Sequence, residues 1–512
     1  MNTKPNSRKE RIMKQLLSKP AYSLKDFRLL PGYTDENCGV QDVSLETRLC
    51  CQGDSYILLD LPFLSAAMQA VTDVKMATAL AELGGVGVVP LGDSIEEQCG
   101  KVKNVKHCKA GFQTDIITFS PSQTLAEVKE VIEKTTFTTF PVTDTGIFHG
   151  KLLGIVTDKD FDPRYDLGLT VNARMKKKVQ VGIEVEDLKE ANRLMIQYGH
   201  GFLPILSREG TLQSVVFKKD LDKHIKYPHA TVDAQKRLRV GAAVSTHAED
   251  RERIQELVEI ETDFLVIDSS DGFTVYQKRT IEWIKKKFET PVIGGNVVTA
   301  NAFQMLADAG VDGIKVGLGT GSGCITQEVK ATGRGQATAI MEVAEARDIY
   351  AKGNRYIPLI ADGGINSPAD IAIALAMGAN TVMMGNFFAR FSESPGRTHT
   401  IDGKMVKEYW MEGSLRAHNY RRYSLTGKRF FEEGINGFVP YVGSIYDFLP
   451  VSRKQLEATL SNTGASTIED FHKLAVLELQ SPLAQRDGQV HSMILADTLA
   501  EPLINVDKTI YN

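Results

Sequence analysis

Cys324 is the residue best suited to covalent chemistry, and it sits in the stretch GIKVGLGTGSGCITQEVKATGRGQ, Gly313 to Gln336. Thr326 follows two positions later. Glycines let a backbone approach a ligand closely. A thiol among exposed amides is favoured as the thiolate, the form that attacks an electrophile. The same residues also suit a glycine-rich turn around a buried, inert cysteine, which is the commoner fate of a free thiol. The choice depends on which element delivers the loop.

Eight short apolar runs recur along the chain, each opening into Gly, Ser, Asp or Asn and then a helical pattern. They are LPFLSA (Leu61 to Ala66), GVGVVP (Gly85 to Pro90), RVGAAVS (Arg239 to Ser245), FLVIDSS (Phe264 to Ser270), TPVIGGN (Thr290 to Asn296), GIKVG (Gly313 to Gly317), IPLIADGG (Ile357 to Gly364) and TVMMGN (Thr381 to Asn386). Near-continuous apolar character suits parallel strands buried on both faces, with stretches such as SPADIAIALAMG as crossover helices. The expected fold is therefore α/β, a (β/α)8 TIM barrel. Chemistry in such barrels collects at the C-terminal strand ends. Here those ends carry Ser65, Asp268, Asn296, the Cys324 loop, Asp362 and Gly385. Asp268 and Asp362 could alternatively do no more than cap the next helix.

With 512 residues, 42% hydrophobic and 24% charged, there is room for two to four domains of about 150 residues. The net charge of −4 offers no basic field for nucleic acid or a membrane surface. Cys38, Cys50, Cys51, Cys99, Cys108 and Cys324 have neither disulfide-framework nor zinc-site spacing, which suits a reducing compartment. The polar, basic start MNTKPNSRKERIMKQLL lacks the apolar centre of a signal peptide, so a cytoplasmic protein is expected.

Between the second and third runs, FPVTDTGIFHGKLLGIVTDKDF (Phe140 to Phe161) is echoed by LPILSREGTLQSVVFKKDL (Leu203 to Leu221), each after a helical segment. This duplication marks an inserted domain at 112–230, dividing a catalytic barrel formed by 1–111 and 231–512. The pair resembles tandem cystathionine-β-synthase-type repeats, the Bateman arrangement. That resemblance implies a regulatory adenine or guanine nucleotide, its ribose held by the step Thr157-Asp158-Lys159-Asp160. The second repeat has Phe217-Lys218-Lys219-Asp220 instead, and a purely structural or oligomerising insert fits as well. A segment rich in Gly, Arg and Tyr at about 408–443 lacks a sustained apolar period and reads as a mobile lid over the barrel mouth.

Ser322 with the loop amides, Gly363-Gly364 and Gly385-Asn386 together form the pattern of a barrel phosphate cradle. Asp362 beside them can accept from ribose hydroxyls, so a nucleoside monophosphate with its base toward Cys324 fits. Asp268 could hold a second ribose, such as that of a nicotinamide cofactor. No GxGxxG follows any of the runs, which argues against a Rossmann domain.

GLGTGSGCITQE, followed by IADGGI and Y-(x)3-GS, resembles the inosine-5′-monophosphate (IMP) dehydrogenase and guanosine-monophosphate (GMP) reductase family. LPGYT, SAAMQAVT, LGGVGVV, DSSDG and GGNVVT add to the likeness, which runs from about Tyr22 to about Gly443. It implies that Cys324 adds to carbon 2 of a purine, that hydride passes to NAD, and that water hydrolyses the thioimidate. By motif, Arg422 and Tyr423 stand at the family's flap dipeptide, the arginine as base for the water. Thr326 with Glu433 is the alternative activating pair. Ser322, Asp362, Gly364, Gly385, Asn386 and Tyr409 would bind the sugar phosphate, and Met68, Glu412 and Gly413 the base. Asp268, Ser269, Asn296, Gly317 and Gly319 would face the cofactor. Carbonyls of Gly319, Gly321 and Cys324, with Asp487, Gly488 and Gln489 of a neighbouring subunit, would hold K+. A homotetramer acting on IMP and NAD, with no nucleic acid or membrane partner, is implied.

This chain departs from the family pattern at several positions. Gly323 replaces a β-branched residue, which predicts a looser loop, and Ala66 replaces a serine. Asn386 stands where many members have serine, and Asp487-Gly488-Gln489 replaces Glu-Gly-Gly. One alternative activity is the reductase, converting GMP and NADPH to IMP and ammonia, although that reaction has no need of Arg422-Tyr423. A catalytically idle nucleotide sensor is the other, opposed by the intact cysteine loop.

Overall fold

The computed structural model describes residues 17, 19–106, 113, 116–135, 137–185, 188–218, 227–417 and 431–490. Eight parallel strands close into a barrel: β1 (Phe63–Ser65), β2 (Val86–Val89), β3 (Val240–Val244), β4 (Phe264–Ile267), β5 (Val292–Val297), β6 (Gly313–Val316), β7 (Leu359–Asp362) and β8 (Thr381–Met384). They follow chain order around the barrel, and β8 returns to β1 through Val382 opposite Phe63. Each of the eight runs read from the sequence supplies one strand. Every residue of β2, β3, β4, β6 and β8 is buried, which accounts for their near-continuous apolar character, broken by Lys315 in β6 and Thr381 in β8.

Helices follow the strands with caps at their entrances. Thr274, Thr299 and Ser367 accept the amides of Gln277, Ala302 and Asp370 and so open helices Val275–Lys287, Ala300–Asp308 and Pro368–Ala376. An antiparallel hairpin, Thr47–Gln52 with Ser55–Leu59, closes the N-terminal end of the barrel. Its Leu49, Cys50, Ile57 and Leu59 are buried, and the Cys51 amide donates to the Asp312 carbonyl just before β6.

Between β8 and helix Ile445–Asn462 lies a three-stranded antiparallel sheet of Thr398–Ile401, Lys404–Trp410 and Asn436–Pro440. Two parts of the segment read as a loop, its start through Trp410 and Asn436–Pro440, are thus strand. The inward face of Lys404–Trp410 carries Lys407 and Tyr409, so a charge occupies a core position and breaks the expected alternation. Lys407 is satisfied there by the carbonyls of Phe391 and Ser394, each 2.7 Å from Nζ. Burial lowers its pKa to about 8.

The chain divides into two compact units, one of residues 1–105 with 239–512 and the other Lys106–Leu238. The second is wider than the 112–230 inferred from the repeats. Its two ends are tied by a buried Asp233 that accepts from Lys106 at 3.2 Å and Arg237 at 2.8 Å. Within this unit, Thr139–Thr143 pairs with Leu152–Thr157, and Phe202–Leu206 with Leu212–Phe217. Helices Leu125–Thr135 and Leu188–Tyr198 precede the respective pairs. Leu152 donates to Gly210 and Leu212 to Gly150, a reciprocal contact between the repeats. The Asp160 carboxylate accepts from the amide and hydroxyl of Thr157 and pairs with Lys176. Asp158 is therefore the carboxylate of that step that its own turn does not use. Lys219 and Asp220 of the second repeat, and Cys108, lie outside the described residues.

Candidate active site

The loop after β6 presents Cys324, half-buried, at the C-terminal mouth of the barrel. Its sulfur lies 3.1 Å from the Thr326 hydroxyl, which donates to Glu433 Oε2 at 3.2 Å. Glu433 is buried and pairs through Oε1 with Lys330 at 2.7 Å. Because the Thr326 proton is committed to a carboxylate, its oxygen accepts from the thiol. A continuous path thus runs from S–H through O–H to a carboxylate. Three backbone bonds secure the loop. Cys324 donates to Gly321, Ile325 to Glu433, and Ile435 to Gly323. Gly323 does not leave the loop loose: the Met411 side chain fills the space beside it.

The ends of β5, β6 and β7 are braced together. The Asn296 amide donates to the Gly317 carbonyl at 2.8 Å and to Asp362 Oδ2 at 2.9 Å. Lys315, buried inside the barrel, approaches the same oxygen at 3.5 Å. Asn296, expected on the cofactor side, thus also contacts the residue expected to hold the ribose. Gly317 has φ +135°, and a Cβ there would stand 2.1 Å from the Asp362 carbonyl, so glycine is required. Buried Gln336 donates to the Val316 carbonyl at 2.8 Å and accepts the Thr320 hydroxyl at 3.2 Å, securing the start of the loop. Asp268 is buried at the end of β4, and Ser269 accepts from Gln277 at 2.9 Å. Gln277 also binds both the amide and the carbonyl of Gly295.

Tyr409, Met68 and Gly385 converge. A Cβ on Gly385 would meet the Tyr409 hydroxyl at 2.9 Å and the Met68 sulfur at 3.0 Å. Burial, with Asp362, Cys324 and Glu412 nearby, pushes the Tyr409 pKa up, so it stays a phenol able to donate. Asn386 accepts from Arg390 at 2.6 Å, which turns its carbonyl toward its own short helix. Ser322 donates to Asn366 at 3.0 Å across the loop that carries Gly364. Glu412 is buried and accepts from the Gln69 amide at 2.6 Å, next to Met68. The Gly413 carbonyl accepts from Glu433 at 3.1 Å. The Gly319 carbonyl accepts from Gln327 at 2.8 Å and that of Gly321 from Cys324. Asp487, Gly488 and Gln489 form the end of helix Pro482–Asp487 and the turn after it. Arg422 and Tyr423 lie outside the described residues.

Lys315, Lys330, Gln277, Gln336 and Met411 escaped the sequence reading. Only Lys315 carried a usable signal, as a lysine inside an otherwise apolar strand. A cavity of about 500 Å³ lies at the opposite end of the barrel, lined by Arg48, Arg347, Tyr356 and His472. Arg347 there already donates to Gly378 and Asn380, so the cavity's polar groups serve the fold.

The IMP dehydrogenase / GMP reductase domain family matches residues 21–491. The chain belongs to this family. The match includes the inserted unit and extends past Gly443, where the motif likeness faded. The chain is 41% identical over 500 residues to inosine-5′-monophosphate dehydrogenase of Tritrichomonas foetus, covering 95% of this chain and 99% of that relative. It is 36% identical to the Schizosaccharomyces pombe enzyme of the same name, with 91% of each chain covered. Among solved structures, a cysteine-to-alanine variant of GMP reductase from Trypanosoma brucei, in complex with GMP, superposes with a TM-score of 0.80. That protein is 28% identical, with 94% of this chain and 100% of the other covered. Membership makes the chain an oxidoreductase of the IMP dehydrogenase / GMP reductase family. Among the described residues no helix is long and apolar enough to cross a membrane.

Proposed function

We propose that this chain oxidises IMP to xanthosine 5′-monophosphate with NAD, through a covalent adduct on Cys324, as a step in guanine nucleotide synthesis. The observation that carries the reading is the thiol–hydroxyl–carboxylate path from Cys324 through Thr326 to Glu433. Such a path serves two proton transfers. It relieves Cys324 of its proton as sulfur bonds to carbon 2 of the purine, and it can later take a proton from the water that displaces sulfur. When bound, NAD accepts the hydride released from carbon 2. IMP, NAD and water thus become xanthosine monophosphate, NADH and a proton.

Asp362, with Oδ2 already engaged by Asn296 and Lys315, accepts from the ribose hydroxyls. Tyr409, Ser322, Gly364, Gly385 and Asn386 hold the phosphate. Met68, Glu412 and Gly413 border the base. Asp268, Ser269, Gly317 and Gly319 face the cofactor. A cavity of about 130 Å³ between the helices after β3 and β4, lined by Thr246, His247, Tyr276 and Trp283, suits its outer half. Neutral carbonyls of Gly319, Gly321 and Cys324 are a donor set for a hard monovalent cation such as K+, completed by Asp487, Gly488 and Gln489 of a partner subunit in a homotetramer. Among the described residues no acidic or histidine cluster suits a divalent metal. Arg422 and Tyr423 supply the base for hydrolysis, with the Thr326–Glu433 path as the alternative route for the water's proton, and the inserted repeats take a regulatory adenine or guanine nucleotide. A cytoplasmic setting completes the proposal.

Mixing the protein with IMP and NAD should raise the absorbance of NADH. Turnover only with GMP and NADPH would overturn the dehydrogenase reading in favour of the reductase.

A further inference from the structure

The residue directly before the nucleophile has room for no side chain, although its backbone is not left-handed. A Cβ on Gly323 would lie 2.9 Å from Met411 Cγ, 3.0 Å from its sulfur and 3.4 Å from Ile435 Cγ1. Gly434 faces Cys324 across an antiparallel bridge, and a Cβ there would meet Met411 Cβ at 2.3 Å and Cγ at 2.9 Å. Met411 is therefore threaded between two glycines, one on the segment that carries Cys324 and one on the segment that carries Glu433. The same three segments are joined by Met411 donating to Ile435, Ile435 to Gly323 and Ile325 to Glu433. Hydrogen bonds of this kind tolerate sliding, whereas a close-packed side chain does not.

We propose that Met411 is a positioning residue: its thioether chain is a wedge that sets the spacing between the Cys324 loop and the Glu433 strand, in the place that a side chain at position 323 would otherwise fill. The proposal rests on Cys324 being the nucleophile. Removing the wedge leaves glycine on both sides, and the line from sulfur through Thr326 to Glu433 loses its fixed length. Adding a methyl at position 323 with the wedge in place pushes the loop outward and does the same.

A double-mutant cycle on the full chain tests this, using Gly323→Ala, Met411→Ala and the pair together. Two rates are read, namely alkylation of Cys324 by iodoacetamide followed by mass spectrometry, and the burst of NADH with IMP and NAD. Each single variant should slow both rates by about tenfold, lowering kcat more than it raises KM for IMP, and the pair should recover most of that loss. If Gly323→Ala does not fold alone, recovery of folded, reactive protein on adding Met411→Ala reads the same coupling. A pair as slow as the product of the singles, or singles that match the parent, would overturn the wedge. Coupled alkylation rates without any IMP-dependent burst would support the wedge and sink the dehydrogenase reading instead.

Discussion

Replacing Glu433 with glutamine probes the proton path with little change in shape. In the parent, Glu433 accepts from Thr326 on one oxygen and from Lys330 on the other. An amide cannot offer an acceptor to both. The Lys330 ammonium, 2.7 Å away, selects the carbonyl end, which turns the amide NH2 toward Thr326. The path then reverses: Thr326 accepts from Gln and donates to sulfur, so nothing at its end can take a proton. The bond from Thr326 to a buried carboxylate is worth about 1.5–3 kcal/mol. The ion pair to Lys330, whose side chain is 34% exposed, adds little after screening. A loss near 2 kcal/mol corresponds to roughly 30-fold in a rate. A hydroxyl that donates to sulfur favours Cys324 as the thiolate before IMP arrives, so adduct formation needs no proton acceptor and should survive, while hydrolysis should take the loss. Stopped-flow with IMP and NAD separates the two as burst and steady state. A burst slowed by the same factor as turnover, or turnover within about twofold of the parent, would refute the argument.

Four further outcomes can be checked separately. Cys324→Ala should abolish both turnover and nucleotide adduct by mass spectrometry, since no other half-exposed thiol lies among the described residues. Arg422→Ala should spare the NADH burst while adduct accumulates; an equal loss of both steps would contradict its role as base. Asp362→Asn weakens the ribose acceptor and leaves Lys315 without its carboxylate, so kcat/KM for IMP should fall by about 10- to 100-fold, mainly through KM. His472 is held by burial at a pKa of about 4, with Arg347 lowering it further against its bond to the Ala379 carbonyl and the acids Asp348 and Glu469. Below about pH 6.5 the unfolded chain gains a proton that the folded chain refuses until about pH 4, so stability should fall through that window by roughly 3 kcal/mol. Melting curves from pH 7 to 4.5 should show that slope in the parent and a flatter one in His472→Gln.

Legibility in this chain follows how many unknown partners a feature needs. Each barrel strand is buried on both faces by its own composition, so all eight runs could be read singly and their order assembled from chain order alone. Cys324, Thr326 and Asp362 could likewise be picked by residue type at strand ends. Lys404–Trp410 could not, because Lys407 is made acceptable by carbonyls of Phe391 and Ser394, contacts that exist only once the chain has folded back. Gln277 and Gln336 look like ordinary solvent-facing helix residues, yet both are fully or nearly buried and bind the backbone of strands beneath them. Gly323 shows the limit most clearly. Read alone it predicted slack beside the nucleophile, since glycine costs order in a loop. Its meaning changes with Met411, a methionine separated from it along the chain by four helices and four strands, including the two that close the barrel. A missing side chain signifies looseness only if nothing else occupies the volume, and that is decided by packing rather than by the residue itself.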